Sequence, residues 1–263
     1  MATRDVLDWE TSISRVVSDG TEEEVIVRGH RLSELIGQIS FAEMMFLLLR
    51  GDLPTPAQAR VLDALLVASV EHGIAPPSMV SRCFASYGTN IQAAVAGGVL
   101  AFGDRMGGLG EQFAKLMSER LAPLGATPAI EDEALWAEAR ATVAAEGREG
   151  RRLPGFGIPL HAADPRAPLM LEIARREGTF GLYCRFAVAL ERALADSRGG
   201  KPIPMNLDGV GAAIVLDLGF PWQSTRMFLL TPRTVSMGAH YLEERRQDTA
   251  WRHIPADRIA YED

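Results

Sequence analysis

Asp164-Pro165-Arg166 is the first of several segments in which charged residues stand beside proline or glycine. Its form is that of a helix N-cap, a proline at the first helical position and an arginine in the first turn. The free backbone N–H groups of such a helix end attract a carboxylate or a phosphate, and Arg166 adds a bidentate donor. An ordinary capped helix with a solvated arginine is the alternative, and the segment alone favours that simpler interpretation.

Three further ionisable residues lie in apolar surroundings. Asp208, in the segment NLDGVGAA, is either a helix N-cap or a partly desolvated carboxylate whose raised pKa suits proton transfer. Arg233, in LLTPRTVSMG, needs a partner, which is either a structural carboxylate or an anionic ligand. His72, in VEHG, stands at the predicted C-terminus of a helix, where a histidine interacts favourably with the helix dipole. Taken singly, none of the three reveals its role.

Two glycine-rich segments predict tight loops next to helices. GDRMGGLGEQF, residues 103–113, either exposes amide groups to an oxygen of a ligand or forms a turn between packed helices, with Met106 in the core. PGFGIPLHAADPRA, residues 154–167, places a glycine pair shortly before a helix and has the composition of an anion-binding loop. Ile158, an apolar residue, and His161 stand in its middle.

The elements that must position these segments are mostly helices. Ser40 and Glu43 form a capping box, and Gly51 ends the helix that they start. A second helix starts at Pro56 and ends at Gly73. Further helices are predicted over residues 90–102, 110–121, 131–146, 165–177, 180–197, 207–218 and 222–246. Gly97 and Gly98, in the predicted helix over residues 90–102, suggest close backbone packing. EEVIVRGHRL is the one segment that predicts a short β-ribbon. We therefore predict a nearly all-α protein.

Composition and charge narrow the classes of function. The 263 residues suit one large domain or two closely joined domains. A net charge of -7 argues against a nucleic-acid partner, because neutralising phosphates requires a basic face. A charged N-terminal sequence and the lack of a long apolar run predict no signal peptide and no membrane partner, and hence a cytoplasmic protein. Cys83 and Cys184 are expected to be buried free thiols in a reducing compartment.

Several catalytic motifs are missing from the sequence. It contains no P-loop signature, no H-E-x-x-H, no C-x-x-C and no G-x-S-x-G. Phosphate-loop chemistry, metal-dependent hydrolysis and a serine nucleophile are therefore unsupported, and no metal site is predicted.

Taken together and in this order, the segments resemble the citrate synthase superfamily. VRGHRLSELIGQISFAEMMFLLLRGDLP is similar to its N-terminal signature. Its successive active-site segments are similar to FGDRMGGLGEQF, PGFGIPLHAADPRA, NLDGVGAAIVLDLGFP and RTVSMGAHYLEERR. The resemblance runs from about Val27 to the C-terminus, and five motifs in the family's order make it specific. The short length and the final WRHIPADRIAYED resemble the citryl-CoA lyase branch, which includes the lyase module of ATP-citrate lyase.

The resemblance implies an all-α, citrate synthase-like fold with the active-site cleft between a large and a small helical domain. We place the large domain at residues 1–108 and 216–263, and the small, CoA-binding domain at residues 109–215. It also implies a homodimer or higher homo-oligomer that binds a CoA thioester together with a di- or tricarboxylate. Coenzyme A is a substrate in such proteins, and no covalently bound cofactor is expected.

Residue by residue, the resemblance assigns roles to these segments. Asp208 corresponds to the catalytic aspartate, which exchanges a proton with the methyl carbon of acetyl-CoA. His72, Arg166 and Arg233 correspond to substrate-binding residues, and His161 is assigned to the same group. The residues expected to contact CoA are Arg152, Pro154, Gly155, Phe156, Gly157, Gly107 and Gly108.

Two positions depart from the family pattern. The family carries histidines where this chain has Met106 and Ile158, although the ATP-citrate lyase module is also apolar at the first position. The change at Ile158 removes an acid–base group of a kind that contributes roughly 10²–10⁴-fold to a rate. The first hypothesis is an enzyme like citryl-CoA lyase that cleaves or forms a carbon–carbon bond between acetyl-CoA and a 2-oxo acid such as oxaloacetate, with a changed substrate left open. The alternatives are a non-catalytic homologue that binds CoA or a polycarboxylate, and a CoA-thioester hydrolase.

Overall fold

A computed structural model of the chain describes residues 9–21, 23–157, 163–248 and 250–262. Helices dominate these residues, so the prediction of a nearly all-α protein is confirmed. The strands are β1 (Ser14–Ser18), β2 (Glu23–Val27) and β3 (His30–Arg31). The α-helices are α1 (Leu32–Leu35), α2 (Phe41–Arg50), α3 (Pro56–Ser69), α4 (Pro76–Ser86), α5 (Ile91–Leu100), α6 (Leu109–Leu121), α7 (Asp132–Arg148), α8 (Arg166–Arg176), α9 (Leu182–Asp196), α10 (Leu207–Asp217) and α11 (Met227–Gln247). Short 3-10 turns occur at Ala122–Leu124, Trp222–Ser224 and Ala256–Arg258.

The first of two compact units extends to Asp63. Its three strands form one antiparallel sheet in chain order, in which β2 pairs with both neighbours. The predicted capping box begins α2: the Ser40 hydroxyl accepts from the Glu43 N–H (3.2 Å), and the Glu43 carboxylate accepts from the Ser40 N–H (2.7 Å). Gly51 ends the helix in the left-handed conformation, with φ 98°. Both local signals are thus confirmed.

The second unit runs from Ala64 onward, and α10 lies in its core. α10 contacts α6, α8 and α9, and residues 209–216 are all buried. A helix that is apolar on every side belongs in a protein interior. α7 packs on α9, while α4, α5 and α11 pack on one another. The largest fully buried side chains of this unit are Phe113, Met117, Leu121, Leu135, Met170, Phe186, Leu190, Ile214 and Leu218. The domain division proposed from the resemblance stays a prediction.

The two glycines inside α5 allow close helix packing, as the sequence suggests. A Cβ atom at Gly97 would lie 2.9 Å from the ring of Phe84 in α4. A Cβ at Gly98 would lie 2.6 Å from the sulfur of Met237 in α11. The backbone of α5 therefore approaches two neighbouring helices within the same chain.

Several element boundaries differ from the predictions. α3 ends at Ser69 and not at Gly73, so His72 lies beyond the last helical turn. The Ser69 hydroxyl donates to the carbonyl of Leu65 (2.8 Å), and Glu71 bonds the next backbone N–H instead of continuing the helix. The predicted helix over 222–246 is divided into a 3-10 turn and α11. β1 and α4 were not predicted. The buried residues of α4 are Pro77, Ser78, Ser81, Arg82 and Ala85, so apolar periodicity does not mark the face that packs.

Cysteine burial and membrane-spanning potential can be compared with the expectations from composition. Both cysteines are free thiols, and Cys184 is buried while Cys83 is half-buried. Burial raises the pKa of the Cys184 thiol well above its usual range. No helix in the described parts of the chain is long and apolar enough to cross a bilayer. The expected cytoplasmic location stays a prediction.

Candidate active site

The glycine loop, residues 154–157, is tied to the segment that leads into α10. The Gly157 N–H donates to the Pro204 carbonyl (2.8 Å), and the Asn206 N–H donates to the Gly155 carbonyl (3.0 Å). The side chain of Asn206 adds a bond from Nδ2 to the Gly157 carbonyl (2.6 Å). These bonds fix the loop against the N-terminal end of α10.

Asn206, and not Asp208, is the N-cap of α10. Its Oδ1 accepts from the Gly209 N–H (3.1 Å), which leaves the Asp208 side chain in the first turn free of a capping role. Gly155 and Gly209 touch at this helix end: a Cβ at Gly155 would lie only 2.7 Å from the Cα of Gly209. Gly155 also has φ 84°. This position therefore needs both the missing Cβ atom and the left-handed backbone conformation that glycine allows.

A cavity of about 1350 Å³ opens beside the glycine loop, with further walls from α7 and α9. Most of the residues predicted to contact CoA lie on its wall, namely Arg152, Pro154, Gly155, Phe156 and Gly157. Apolar side chains, including those of Trp136, Phe156 and Ile203, make up much of the remaining lining. The shape and the mixed lining suit a large ligand that carries both apolar and anionic parts.

The two arginines that directly precede the glycine loop differ in how far the protein already engages them. Arg151 donates two hydrogen bonds to Glu146, from Nε (2.7 Å) and Nη2 (2.9 Å). These bonds, together with the charge of Arg151, lower the pKa of the Glu146 carboxyl despite its burial. Arg152 is exposed, and no ion pair engages it within the described residues. Arg152 is therefore the more available of the two for an anionic ligand.

Asp164 is 2% exposed and connects the first turn of α8 to the first turn of α10. Its carboxylate accepts from Nε and Nη2 of Arg166, both at 2.9 Å, and from the Arg166 N–H (3.1 Å). It also accepts from the Leu207 N–H (3.0 Å). Burial alone would raise the pKa of Asp164, but the hydrogen bonds and the charge of Arg166 lower it below the usual value. Arg166 is thus held in place rather than solvated.

Asp208 lies one residue after this connection and lines a cavity of about 30 Å³, roughly the volume of one water molecule. Burial is the largest influence on the carboxyl and raises its pKa. Arg166 and Arg233 lower the pKa in part, Asp164 raises it, and the net direction is upward. No hydrogen bond from the described residues stabilises the charged form. A raised pKa makes the protonated form of this carboxyl more accessible, as a group that exchanges protons requires.

Arg233, in α11, is only 7% exposed. Its buried Nε has no hydrogen-bond partner among the described residues. Burial lowers the pKa of the guanidinium, Glu71 and Asp208 raise it in part, and Arg166 lowers it further. A buried cation without a bonded carboxylate is costly, so the arrangement favours an anionic ligand over a structural ion pair.

His72 is half-buried in the connection between α3 and α4. Glu71 accepts from the His72 N–H (2.8 Å) and from the hydroxyl of Ser236 in α11. On the other side, Nη1 of Arg166 donates to the Ala68 carbonyl (3.3 Å) at the end of α3. Our sequence reasoning missed Glu71, although an acidic residue directly before the histidine in VEHG was a usable signal.

The segment around Met106 folds as a tight turn, the second of the two sequence-based alternatives. Gly103 and Met106 exchange backbone hydrogen bonds of 2.8 and 3.0 Å. Met106 is half-buried and is therefore not a core residue as expected. Gly107, with φ 81°, lines the small cavity beside Asp208, while Gly108 is the N-cap residue of α6. Neither glycine lines the large cavity.

Ile158 and His161 lie outside the described residues. The role assigned to His161, and the consequence of an isoleucine at position 158, therefore stay predictions from the resemblance.

Comparison with known proteins assigns this arrangement to a family. Residues 54–254 match the family model described as citrate synthase, C-terminal domain. A putative citrate synthase 2 from Mycobacterium tuberculosis is 30% identical over 200 residues, which cover 73% of this chain and 49% of that protein. The glyoxysomal citrate synthase of Cucurbita maxima is 30% identical over 203 residues, which cover 74% and 36%. The chain belongs to the citrate synthase family, and it spans about half the length of the first of these curated relatives.

Solved structures refine the similarity within that family. The citryl-CoA lyase from Hydrogenobacter thermophilus superimposes with a TM-score of 0.85 at 31% identity, covering 97% of this chain and 94% of that one. The ATP citrate lyase from Methanothrix soehngenii, solved with citrate and coenzyme A, gives a TM-score of 0.79 at 18% identity over 99% of this chain and 42% of that one. The predicted citrate synthase-like fold and the resemblance to citryl-CoA lyases are both confirmed.

Proposed function

We propose that the protein is a carbon–carbon lyase of the citryl-CoA lyase type. It cleaves, or in reverse forms, the bond between the acetyl group of acetyl-CoA and a 2-oxo acid such as oxaloacetate. The observation that carries the proposal is the position of Asp208 in the first turn of α10, at the helix end to which the glycine loop is tied, where the charges of Arg166 and Arg233 act on it. Family membership and 31% identity to a citryl-CoA lyase support the reaction class.

Asp208 moves the proton on carbon in this proposal. In the cleavage direction the bond breaks, the hydroxyl carbon becomes a ketone, and the acetyl group leaves as an enolate that takes the proton of the Asp208 carboxyl. In the opposite direction the carboxylate removes a proton from the methyl group. A raised pKa serves both directions because it makes the ionised form a stronger base and the protonated form more accessible.

The hydroxyl proton requires a second group. Residue 158 is an isoleucine and cannot accept it. We assign the step to His161, His72 or a bound water. Arg166 and Arg233 bind the carboxylate groups of the acid, because one is held in place by Asp164 and the other is a buried cation with an unpartnered Nε.

Coenzyme A occupies the large cavity in this proposal. Its volume of about 1350 Å³ is ample for a nucleotide and a pantetheine arm. The glycine loop and Phe156 line the side that leads to α10, and the exposed Arg152 meets a phosphate. The thioester end of the ligand is thereby directed toward the end of α10 that carries Asp208.

A non-catalytic binding protein is the second candidate, and the observation that favours it is the isoleucine at position 158. Such a protein would keep the large cavity and the arginines while lacking an acid–base group. A CoA-thioester hydrolase, with a water activated by Asp208, is the third.

Incubation with a panel of CoA thioesters, including citryl-CoA, distinguishes the three. Release of acetyl-CoA identifies a lyase, release of free CoA alone identifies a hydrolase, and neither product identifies a binding protein. Ile158→His should raise a slow wild-type rate on citryl-CoA by part of the roughly 10²–10⁴-fold that acid–base catalysis contributes. Wild-type turnover at a typical enzymatic rate would instead mean that His161, His72 or a water already does this work.

We also propose a homodimer, formed through the group of α4, α5 and α11. Large apolar side chains are exposed on these helices, among them Leu100 at 82%, with Met79, Val235 and Leu242. Exposed apolar patches of this kind mark surfaces that bind another protein. Light scattering at micromolar concentration should give twice the monomer mass, and Leu100→Glu should shift it toward the monomer. A wild-type monomer would contradict the proposal.

A further inference from the structure

Glu71 uses both of its carboxylate oxygens to organise the connection between α3 and α4. Oε1 accepts from the His72 N–H at 2.8 Å. Oε2 accepts from the Ser236 hydroxyl and lies 3.3 Å from Nε2 of His240, so it contacts two residues of α11. The peptide that carries the imidazole of His72 is thereby fixed to the helix that carries Arg233.

The donors around Glu71 are themselves fixed by the next layer of side chains. Nε of Arg82 donates to Nδ1 of His240 (3.1 Å), so that nitrogen carries no proton and Nε2 presents its proton to Glu71. Arg82 in turn donates to Glu244 (2.6 Å), which is 1% exposed and also accepts from Arg252. Glu71 is therefore the last acceptor of a chain of hydrogen bonds that begins in α4.

The charge of Glu71 also acts on Arg233. The side chain of Glu71 is 41% exposed, and its partial burial would raise its pKa, but hydrogen bonds from Ser236 and from the His72 N–H, together with His240, lower it below the usual value. Glu71 is consequently ionised at neutral pH. Its charge raises the pKa of Arg233 and opposes the effect of burial on that guanidinium.

We propose that Glu71 is a positioning residue of the carboxylate-binding site. It holds the peptide of His72 by a hydrogen bond and supports the charge of Arg233, so that both side chains are ready for one carboxylate ligand. The inference rests on the proposed function, because it assumes that His72 and Arg233 bind the acid substrate.

Two substitutions separate the hydrogen bond from the charge. Glu71→Gln and Glu71→Ala both remove the negative charge, so its effect on an anionic ligand is common to the two variants. Only Glu71→Gln keeps an oxygen that can accept from the His72 N–H. Citrate affinity, measured by calorimetry, should therefore be about fivefold to tenfold weaker for Glu71→Ala than for Glu71→Gln, the range expected for one hydrogen bond.

The same pair in a His72→Ala background provides the decisive comparison. If Glu71 acts through His72, the two Glu71 variants should then bind citrate equally, because no imidazole is left to position. The affinity for coenzyme A should be the same in all of these proteins, since the large cavity does not include this connection. Glu172→Gln, an exposed carboxylate on α8, is the matched control and should change neither affinity.

Ser236→Ala is a milder test with the same logic. Loss of the hydroxyl removes one hydrogen bond to Oε2 of Glu71, so citrate affinity should fall about twofold to threefold. The melting temperature should stay close to that of the wild type. Equal citrate affinity for Glu71→Ala and Glu71→Gln would overturn the inference, as would a difference that persists without His72. Absence of citrate binding by the wild type would instead overturn the proposed function, and the inference with it.

Discussion

The wall of the large cavity and the charged cluster around Asp208 are adjacent in sequence and structure, but they are built on opposite principles. The wall combines backbone and apolar side chains with charged side chains, and arginines such as Arg152 are exposed there. The cluster consists of ionisable side chains with little access to water, among them Asp164 at 2% and Arg233 at 7% exposure.

This difference predicts how each region contributes to function. Exposed charges are screened by solvent and salt, so the wall supplies affinity in many small contributions. Charges that are removed from water interact strongly with one another and with whatever enters, so single changes in the cluster should have large effects. Under the proposed function, we therefore expect changes in the cavity wall to alter mainly ligand affinity and changes in the cluster to alter mainly the rate.

The largest expected effect is on the rate after Asp208→Asn. Asparagine keeps the shape of the side chain but cannot exchange the proton, so kcat on the true substrate should fall by roughly 10²–10⁴-fold. The affinity for coenzyme A, measured by calorimetry, should stay near that of the wild type. Retained turnover would make Asp208 a structural residue of α10 and would remove the contrast between the two regions.

A smaller effect is expected on acid binding after Arg233→Met. The substitution removes a buried donor with an unpartnered Nε, so citrate should bind about 10- to 100-fold more weakly, as for a hydrogen bond to a charged group. The melting temperature of the variant should not fall below that of the wild type, because the change also removes the cost of burying a cation. Arg245→Met, on the exposed end of the same helix, is the control. Unchanged citrate affinity would mean that Arg233 has a structural role.

On the cavity wall, Arg152→Ala should weaken coenzyme A binding by about threefold to tenfold, and the loss should shrink in high salt. Arg151→Ala sharpens the result, because Arg151 is already bound to Glu146 and should affect affinity less. Calorimetry at two salt concentrations measures both variants. A loss for Arg152→Ala that is independent of salt would show that the contact is not an exposed ion pair.

The smallest expected effect is on stability, again through Asp208. Because its folded-state pKa is raised, the folded chain still holds a proton that the unfolded chain releases as the pH rises above the ordinary value of 3.8. The free energy of unfolding of the wild type therefore falls from that pH up to the folded-state pKa. Asp208→Asn escapes this loss and should melt a few degrees above the wild type at pH 7, with no gain at pH 3. Equal melting temperatures at pH 7 would contradict a raised pKa.

Sequence patterns predicted well those features that depend on neighbouring residues. The capping box of Ser40 and Glu43 and the stop at Gly51 are local, and both occur as predicted. The predicted end of α3 at Gly73 is wrong. The sequence does not reveal that the Glu71 carboxylate accepts hydrogen bonds from the His72 N–H and from the hydroxyl of Ser236 in α11. Tertiary hydrogen bonds of this kind decide boundaries that propensity leaves open.

The candidate site shows the same limit. Asp164 has the form of an N-cap, and no local pattern indicates that its second oxygen accepts from Leu207, 43 residues away. The sequence equally allowed Asp208 to be a cap, and only the bond from Gly209 to Asn206 decided against it. The sequence predicted which residue types lie in the site. It did not predict which of these residues form hydrogen bonds with one another.

The connection from Asp164 to Leu207, together with the bond from Asn206 to the Gly157 carbonyl across 49 residues, also has a consequence for folding. Contacts between distant parts of the chain form late, because closing a long loop costs entropy before any contact is gained. Arg166 and Asp208 are therefore brought together only after α8 and α10 have docked. A partly folded chain should bind no acid ligand. Citrate should therefore protect only the fully folded molecules against proteolysis.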